Sequence, residues 1–329
     1  MLSKRIRPLL CAALLTFLAP LLLSGCTPAP VQPLRVGTNV WSGYEPLYLA
    51  QSLGWLKKPT VRMVEFTSTS DVLRAMRDHT LELAAITLDE ALLLQQDDPD
   101  IRIILVMDES HGADALIAKP NIQSLHDLKG KKIGAETTAL GAYMLSMILD
   151  HASLKRSDIT LIPLPANQHA LAFNHGRVDA VVTFEPFKSE LQNTGASVLF
   201  DSRQVPGAIV DVLVVHDDIL AKHQTRLTQL VRIWFQSLRY LREKPEDAAR
   251  RMQPRLKLPI DQVLAQYKGI KLLTLEENMA LLQGNSKSIL YGNTLKMGDM
   301  MIAEKLITKL PLPTLIDGQL VEELKGKDI

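Results

Sequence analysis

The chain has 329 residues, a formal net charge of +1, 47% hydrophobic and 22% charged residues. This length exceeds one ordinary hydrophobic core, so two lobes are expected. The near-neutral balance gives no support to nucleic-acid binding, and no nucleic-acid partner is expected.

Lys4, Arg5 and Arg7 precede an apolar run over residues 8–23 that is mostly Leu and Ala. A basic start before a short apolar stretch is the pattern of a secretory signal. The run is shorter than the ~20 residues that span a bilayer, and Pro8 and Pro20 interrupt it. Leu23-Ser24-Gly25-Cys26 resembles the lipobox of bacterial lipoproteins, which implies cleavage before Cys26 and a lipid on that cysteine. Residues 1–25 are then the signal, and Cys11 is lost with them. The mature chain keeps no thiol for a disulfide, a metal or nucleophilic catalysis. The signal takes away three positive charges and no negative ones, so +1 becomes −2. Residues 26–33 form a Pro-rich, semi-rigid tether. Thr27 stands where an Asp would favour inner-membrane retention among lipoproteins, so outer-membrane sorting stays open.

From Leu34 strand and helix signals alternate. Strands are expected over residues 34–37, 61–66, 81–87 and 101–107, with helices over 46–54, 71–78 and 89–96 between them. The run 101–107 is continuously apolar and rich in β-branched residues, as in a strand covered on both faces. The pattern restarts after residue 130, with strands over 132–136, 159–164 and 178–183 and helices over 141–151, 167–175 and 186–193. Such alternation argues for a parallel, doubly wound sheet in each lobe. The two passes superpose: His79 stands eight residues before Thr87, and His175 eight before Thr183. Asp89 and Glu185 follow those threonines at the same distance. Gly37 and Gly134 end the opening strands, and Gly43 and Gly141 precede the next helices, which suggests two lobes of similar build. From Asp218 onward long amphipathic helices take over, such as 227–243 and 245–252, and these should lie against the first lobe.

Three stretches carry a family resemblance. Val36-Gly37-Thr38-Asn39-Val40-Trp41-Ser42-Gly43-Tyr44-Glu45-Pro46-Leu47-Tyr48-Leu49-Ala50, with Gly54-Trp55 after it, resembles the start of the nitrate/sulfonate/taurine and thiamine-pyrimidine solute-binding proteins of ABC importers. Ser124-Leu125-His126-Asp127-Leu128-Lys129-Gly130-Lys131-Lys132-Ile133-Gly134 is similar to the segment that opens their second lobe. Gly176-Arg177-Val178-Asp179-Ala180-Val181-Val182 resembles a further segment of those proteins. The resemblance implies a two-lobed α/β fold of the type II periplasmic-binding-protein kind, with two crossings and a ligand closed between the lobes. The crossings are expected near residues 112–119 and 205–215, where 211–215 reads as a strand. Lobe one then comprises 34–115 plus 212–329, and lobe two 116–211. The implied protein is a monomer in the cell envelope that hands solute to an ABC permease, or presents its closed form to a membrane sensor. Enzymatic relatives of this fold include a thiamine-pyrimidine synthase with a Cys-rich motif, and this chain lacks those cysteines. No cofactor is implied.

Ligands in open α/β sheets bind beyond the carboxyl ends of strands, near helix N-termini. Asn39, Trp41, Tyr44 and Glu45 follow strand one and could stack on a flat ligand and bond its edge. Ser68 and Thr69 open the next helix, with Ser68 and Asp71 also fitting a helix cap. Thr87-x-x-Glu90 has capping-box spacing, which leaves Asp89 as the better ligand candidate. Glu136, Thr137 and Thr138 open the second lobe's first helix. Phe184 and Glu185 stand at the matching place after Thr183, and Asp211 lies near the second crossing. Glu45, Asp89, Glu136, Glu185 and Asp211 together would make one cleft acidic. Buried carboxylates need a partner, a proton or a cation, so a ligand with an amine- or pyrimidine-type donor face is expected rather than an oxyanion. His111 is expected to be solvated, and His169 and His175 to lie on a surface helix and its end. No His pair shows metal-ligand spacing with a carboxylate nearby, and no metal site is expected.

Overall fold

The computed structural model describes residues 32–57, 60–136 and 139–327. The expected signal, Cys26, most of the tether, Thr137 and Thr138 lie outside the described residues. From Pro33 onward the chain forms one compact unit.

The strands in chain order are β1 (Leu34–Thr38), β2 (Val61–Glu65), β3 (Leu83–Thr87), β4 (Ile101–Ser110), β5 (Ala115–Ala118) and β6 (Lys132–Ala135). They continue as β7 (Thr160–Pro163), β8 (Ala180–Thr183), β9 (Ser197–Asp201), β10 (Val210–His216) and β11 (Ile270–Leu272). The first sheet runs β11-β4-β10-β3-β1-β2, and the second runs β7-β6-β8-β5-β9. Helices α1 (Glu45–Ser52), α2 (Thr69–Arg77) and α3 (Leu88–Asp97) flank the first sheet. Helices α4 (Ala139–His151), α5 (His169–Asn174) and α6 (Phe187–Gln192) flank the second. Every residue of β3 is buried, and so is nearly all of β4, which is why these segments read as continuous apolar runs.

Both sheets are mixed, not parallel as the alternation suggested. Strand β10 is antiparallel to β3 and β4, and β5 is antiparallel to β8 and β9. The chain changes sheets twice, and the strand by which it enters, β5 or β10, runs against both of its neighbours. Only residues 111–114 separate β4 from β5 and only 202–209 separate β9 from β10. Each short crossing carries the chain into the other sheet. The pairing also moves the expected lobe limits. Ala115 pairs with Thr183 and Asp201 in the second sheet, while Asp211 pairs with Thr87 and Asp108 in the first. The crossings are tied together: Ser110 Oγ lies 2.8 Å from Ser202 Oγ, and the Gly112 N–H donates to Ser202 Oγ at 2.6 Å.

After β10 come α7 (Asp217–Glu243), α8 (Pro245–Leu256), α9 (Ile260–Gln266), α10 (Leu275–Leu282), α11 (Ile289–Ala303) and α12 (Gln319–Glu322). They pack on the first lobe: α7 and α8 lie against α1, and α11 against α3. Trp234 of α7 is fully buried. No helix among the described residues is long and apolar enough to cross a membrane.

Candidate functional site

The carboxyl ends of β1 and β3 and the opening of β10 face the second lobe. After β1 the chain makes one tight turn over Ser42–Tyr44. Gly43 is required there, because a Cβ would stand 2.2 Å from both Asp108 Oδ2 and Trp41 Nε1. Trp41 Nε1 lies 3.3 Å from each carboxylate oxygen of Asp108, and the Tyr44 hydroxyl donates to Asp211. Asn39, Trp41, Tyr44, Thr69, Thr87 and Asp211 meet Leu140 and Phe184 of the second lobe around one cavity. Glu90, Asp114 and Ile209 complete its wall, and its volume is about 20 Å³. That is room for little more than a water molecule. Trp41 and Phe184 meet across it from the two lobes.

The cavity region is rich in buried acids. Burial pushes Asp89 up to about 6 and Asp108 and Asp114 up to about 7, and it holds Glu90 and Asp211 well above the usual carboxylate range. Glu136 is likewise raised to about 7 by burial, and it accepts a hydrogen bond from the Ala166 N–H at 3.1 Å. Four carboxylate oxygens are buried without a hydrogen-bond partner among the described residues: both of Asp89, Oε1 of Glu90 and Oδ2 of Asp114. One base approaches. Lys188 Nζ donates to the Gly112 carbonyl at 2.7 Å and stands 3.6 Å from Glu185 Oε1.

The structure brings Asn39, Trp41, Tyr44, Thr69, Thr87, Phe184 and Asp211 of the expected residues to the cavity wall. Others fall elsewhere. Ser68 caps α2, with its Oγ accepting from the Asp71 N–H at 3.3 Å. Glu45 is buried against Arg255, whose Nε donates to it at 3.0 Å. Glu136 and Glu185 are satisfied mainly within lobe two, Glu185 by the Ser189 N–H at 3.1 Å. Glu90 caps α3, accepting from the Thr87 N–H at 3.1 Å, and it also lines the cavity, whereas Asp89 beside it does not. Asp108 and Asp114 were missed. Asp108 continues an apolar strand past its expected end, and Asp114 sits in the crossing itself.

Two histidine expectations are corrected. His169 is fully buried, with ring nitrogens 3.0 Å from Thr183 Oγ1 and 3.2 Å from the Leu164 carbonyl. Burial lowers its pKa to about 4. The fold also assembles a His pair beside a carboxylate that spacing could not reveal: His79 and His216 meet Asp98.

The NMT1-like family profile matches residues 27–254. A putative aliphatic sulfonates-binding protein of Bacillus subtilis (strain 168) is 23% identical over 228 residues, covering 67% of this chain and 68% of its own. Among solved structures, the alkanesulfonate-binding protein SsuA from Xanthomonas axonopodis pv. citri bound to MOPS superposes with a TM-score of 0.71 at 20% identity, covering 88% of this chain and 98% of its own. The desulfurization enzyme DSZB superposes with a TM-score of 0.64 at 16% identity over the same shares, 88% and 98%. At these identities the structural likeness establishes a shared two-lobed α/β fold.

Proposed function

This chain belongs to the NMT1-like family, and from that premise we propose that it is an extracytoplasmic solute-binding lipoprotein that closes on a small amine- or aminopyrimidine-bearing solute for an ABC importer. The carrying observation is the pair of buried carboxylate oxygens at the cavity wall, Oε1 of Glu90 and Oδ2 of Asp114, that have no hydrogen-bond partner among the described residues. Such groups lack donors, and a protonated amine or amidine edge supplies them together with positive charge. Trp41, Tyr44 and Phe184 add flat apolar surface for a ring. A bare oxyanion fits poorly, because Lys188 is already engaged by the Gly112 carbonyl and Glu185. In this respect the site departs from the anion specificity named for the Bacillus subtilis relative and for SsuA.

A cavity of about 20 Å³ admits no solute, so capture requires the lobes to part and reclose by bending at residues 111–114 and 202–209. A lipid on Cys26 would keep the protein at a membrane surface, and the tether to Pro33 would set its reach to a permease. Calorimetry against amines, aminopyrimidines, sulfonates and nitrate tests the ligand class. Saturable binding of an amine-bearing solute is expected. Tight binding of a sulfonate or nitrate with no amine, and of nothing else, overturns the cationic reading.

A further inference from the structure

We propose that His79, Asp98 and His216 form a binding site for a borderline divalent transition ion of the Zn²⁺ class, at the end of the first lobe away from the solute cleft. His79 follows α2, Asp98 follows α3, and His216 ends β10. One donor atom from each lies within 4.8 Å of the other two. His216 Nδ1 is 3.0 Å from Asp98 Oδ2, and the two imidazole rings lie with 4.4 Å between centroids and 32° between planes. In a tetrahedral zinc site with bonds of about 2.0–2.2 Å, neighbouring donors stand about 3.4 Å apart.

The second observation is the state of His216. It is 3% exposed, and its Nε2 is buried with no hydrogen-bond partner among the described residues. An ion bound by this triad would account for two imidazoles held together beside one carboxylate. The donor set selects the ion. Two imidazoles and one carboxylate suit Zn²⁺, Co²⁺ or Ni²⁺, whereas Ca²⁺ and Mg²⁺ prefer all-oxygen shells. Exposed His79 leaves a side open for the ion to enter and for water to complete the shell. Neighbouring acids already have partners: Asp97 pairs with Arg77 at 2.8 Å and Asp217 with Arg102 at 3.2 Å. The site is separate from the solute cleft. His216 lies five residues along β10 from Asp211, about 17 Å at ~3.3 Å per residue. A bound ion there would clamp α2, the α3–β4 turn and β10 together.

The test uses the full chain after EDTA treatment. Zn²⁺ is titrated by calorimetry, and Co²⁺ by its visible absorption, for wild type, His79→Gln and Asp98→Asn. Both variants change groups outside the core, and melting in EDTA checks that each folds like wild type. The expected result is one equivalent bound by wild type, with affinity at least about tenfold weaker in each variant, and a melting temperature raised less by Zn²⁺ in each variant than in wild type. Absence of saturable binding by wild type, or binding equal in all three proteins, overturns the proposal.

Discussion

Trp41 of the first lobe meets Phe184 of the second edge to face, with 6.0 Å between ring centroids and 78° between planes. The same indole N–H reaches Asp108, so one side chain joins the lobe contact to the buried acids. Parting of the lobes would wet this indole, while Trp234 stays in the core of the first lobe. Solute binding should therefore change the intrinsic fluorescence of wild type and leave Trp41→Phe nearly silent. The Phe variant keeps an aromatic face but removes a donor to Asp108, and solute affinity should fall by about 1–2 kcal/mol. A fluorescence response that persists in Trp41→Phe would place the moving surface elsewhere.

The buried acids give the empty protein a definite pH dependence. Burial holds Asp89 at about 6 and Asp108, Asp114 and Glu136 at about 7, whereas such groups titrate at about 4 in an unfolded chain. Between those values the folded chain retains protons that the unfolded chain has released. Stability is then fully present below about pH 4 from these groups and is lost as pH rises through 6 to 7. Melting in a solute-free sample should fall by about 5 °C between about pH 5 and about pH 8. A cationic solute needs ionised carboxylates, so its affinity should rise across the same interval. Melting that stays flat, or an affinity that drops with pH, would contradict the cationic site.

Gly43 tests how tightly the first turn is built. A Cβ would stand 2.2 Å from Asp108 Oδ2 and from Trp41 Nε1. Gly43→Ala should therefore push that hydrogen-bonded pair apart and destabilise the fold by about 1–3 kcal/mol. Urea unfolding measures the cost, and calorimetry should show weaker solute binding as well. An alanine tolerated with both quantities unchanged would mean that the turn yields freely.

Much of this arrangement was legible before folding. The aromatic turn at Trp41 and Tyr44 announces itself because two large rings in a polar, Gly-containing turn are poor core formers. Thr69 and Thr87 are visible as residues at helix starts. Asp108 and Asp114 were not legible, because their meaning depends on where β4 ends. An apolar, β-branched run followed by Asp-Glu-Ser reads as a strand giving way to a turn. The strand in fact continues to Ser110, held by pairing with β10 and β11, which lie about 100 to 160 residues away in sequence. The mixed sheets were hidden for the same reason, since β5 and β10, each antiparallel to its own neighbours, enter their sheets through crossings that read only as loop. The reverse error concerns Glu45: its partner Arg255 comes from α8, 210 residues on, so an acid that looked available for ligand already has its cation.

Arg255 Nε donates to Glu45 at 3.0 Å, its guanidinium carbon lies 3.3 Å from the centre of the Tyr48 ring, and its other arm bonds Glu65. Glu45 is 1% exposed, and burial already raises it to about 7 despite the arginine. Arg255→Gln removes the cation and leaves a buried carboxyl without its charge partner, the expensive way to break such a pair. The expected cost is about 2–3 kcal/mol in urea unfolding, less than a fully buried pair because Arg255 is partly exposed. Adding Glu45→Gln should recover part of that loss, since the orphaned charge goes with it. Because Glu45 stands outside the cavity wall, solute affinity should change little in the double variant. If affinity collapsed there while stability held, Glu45 would be a ligand contact and its ion pair with Arg255 secondary.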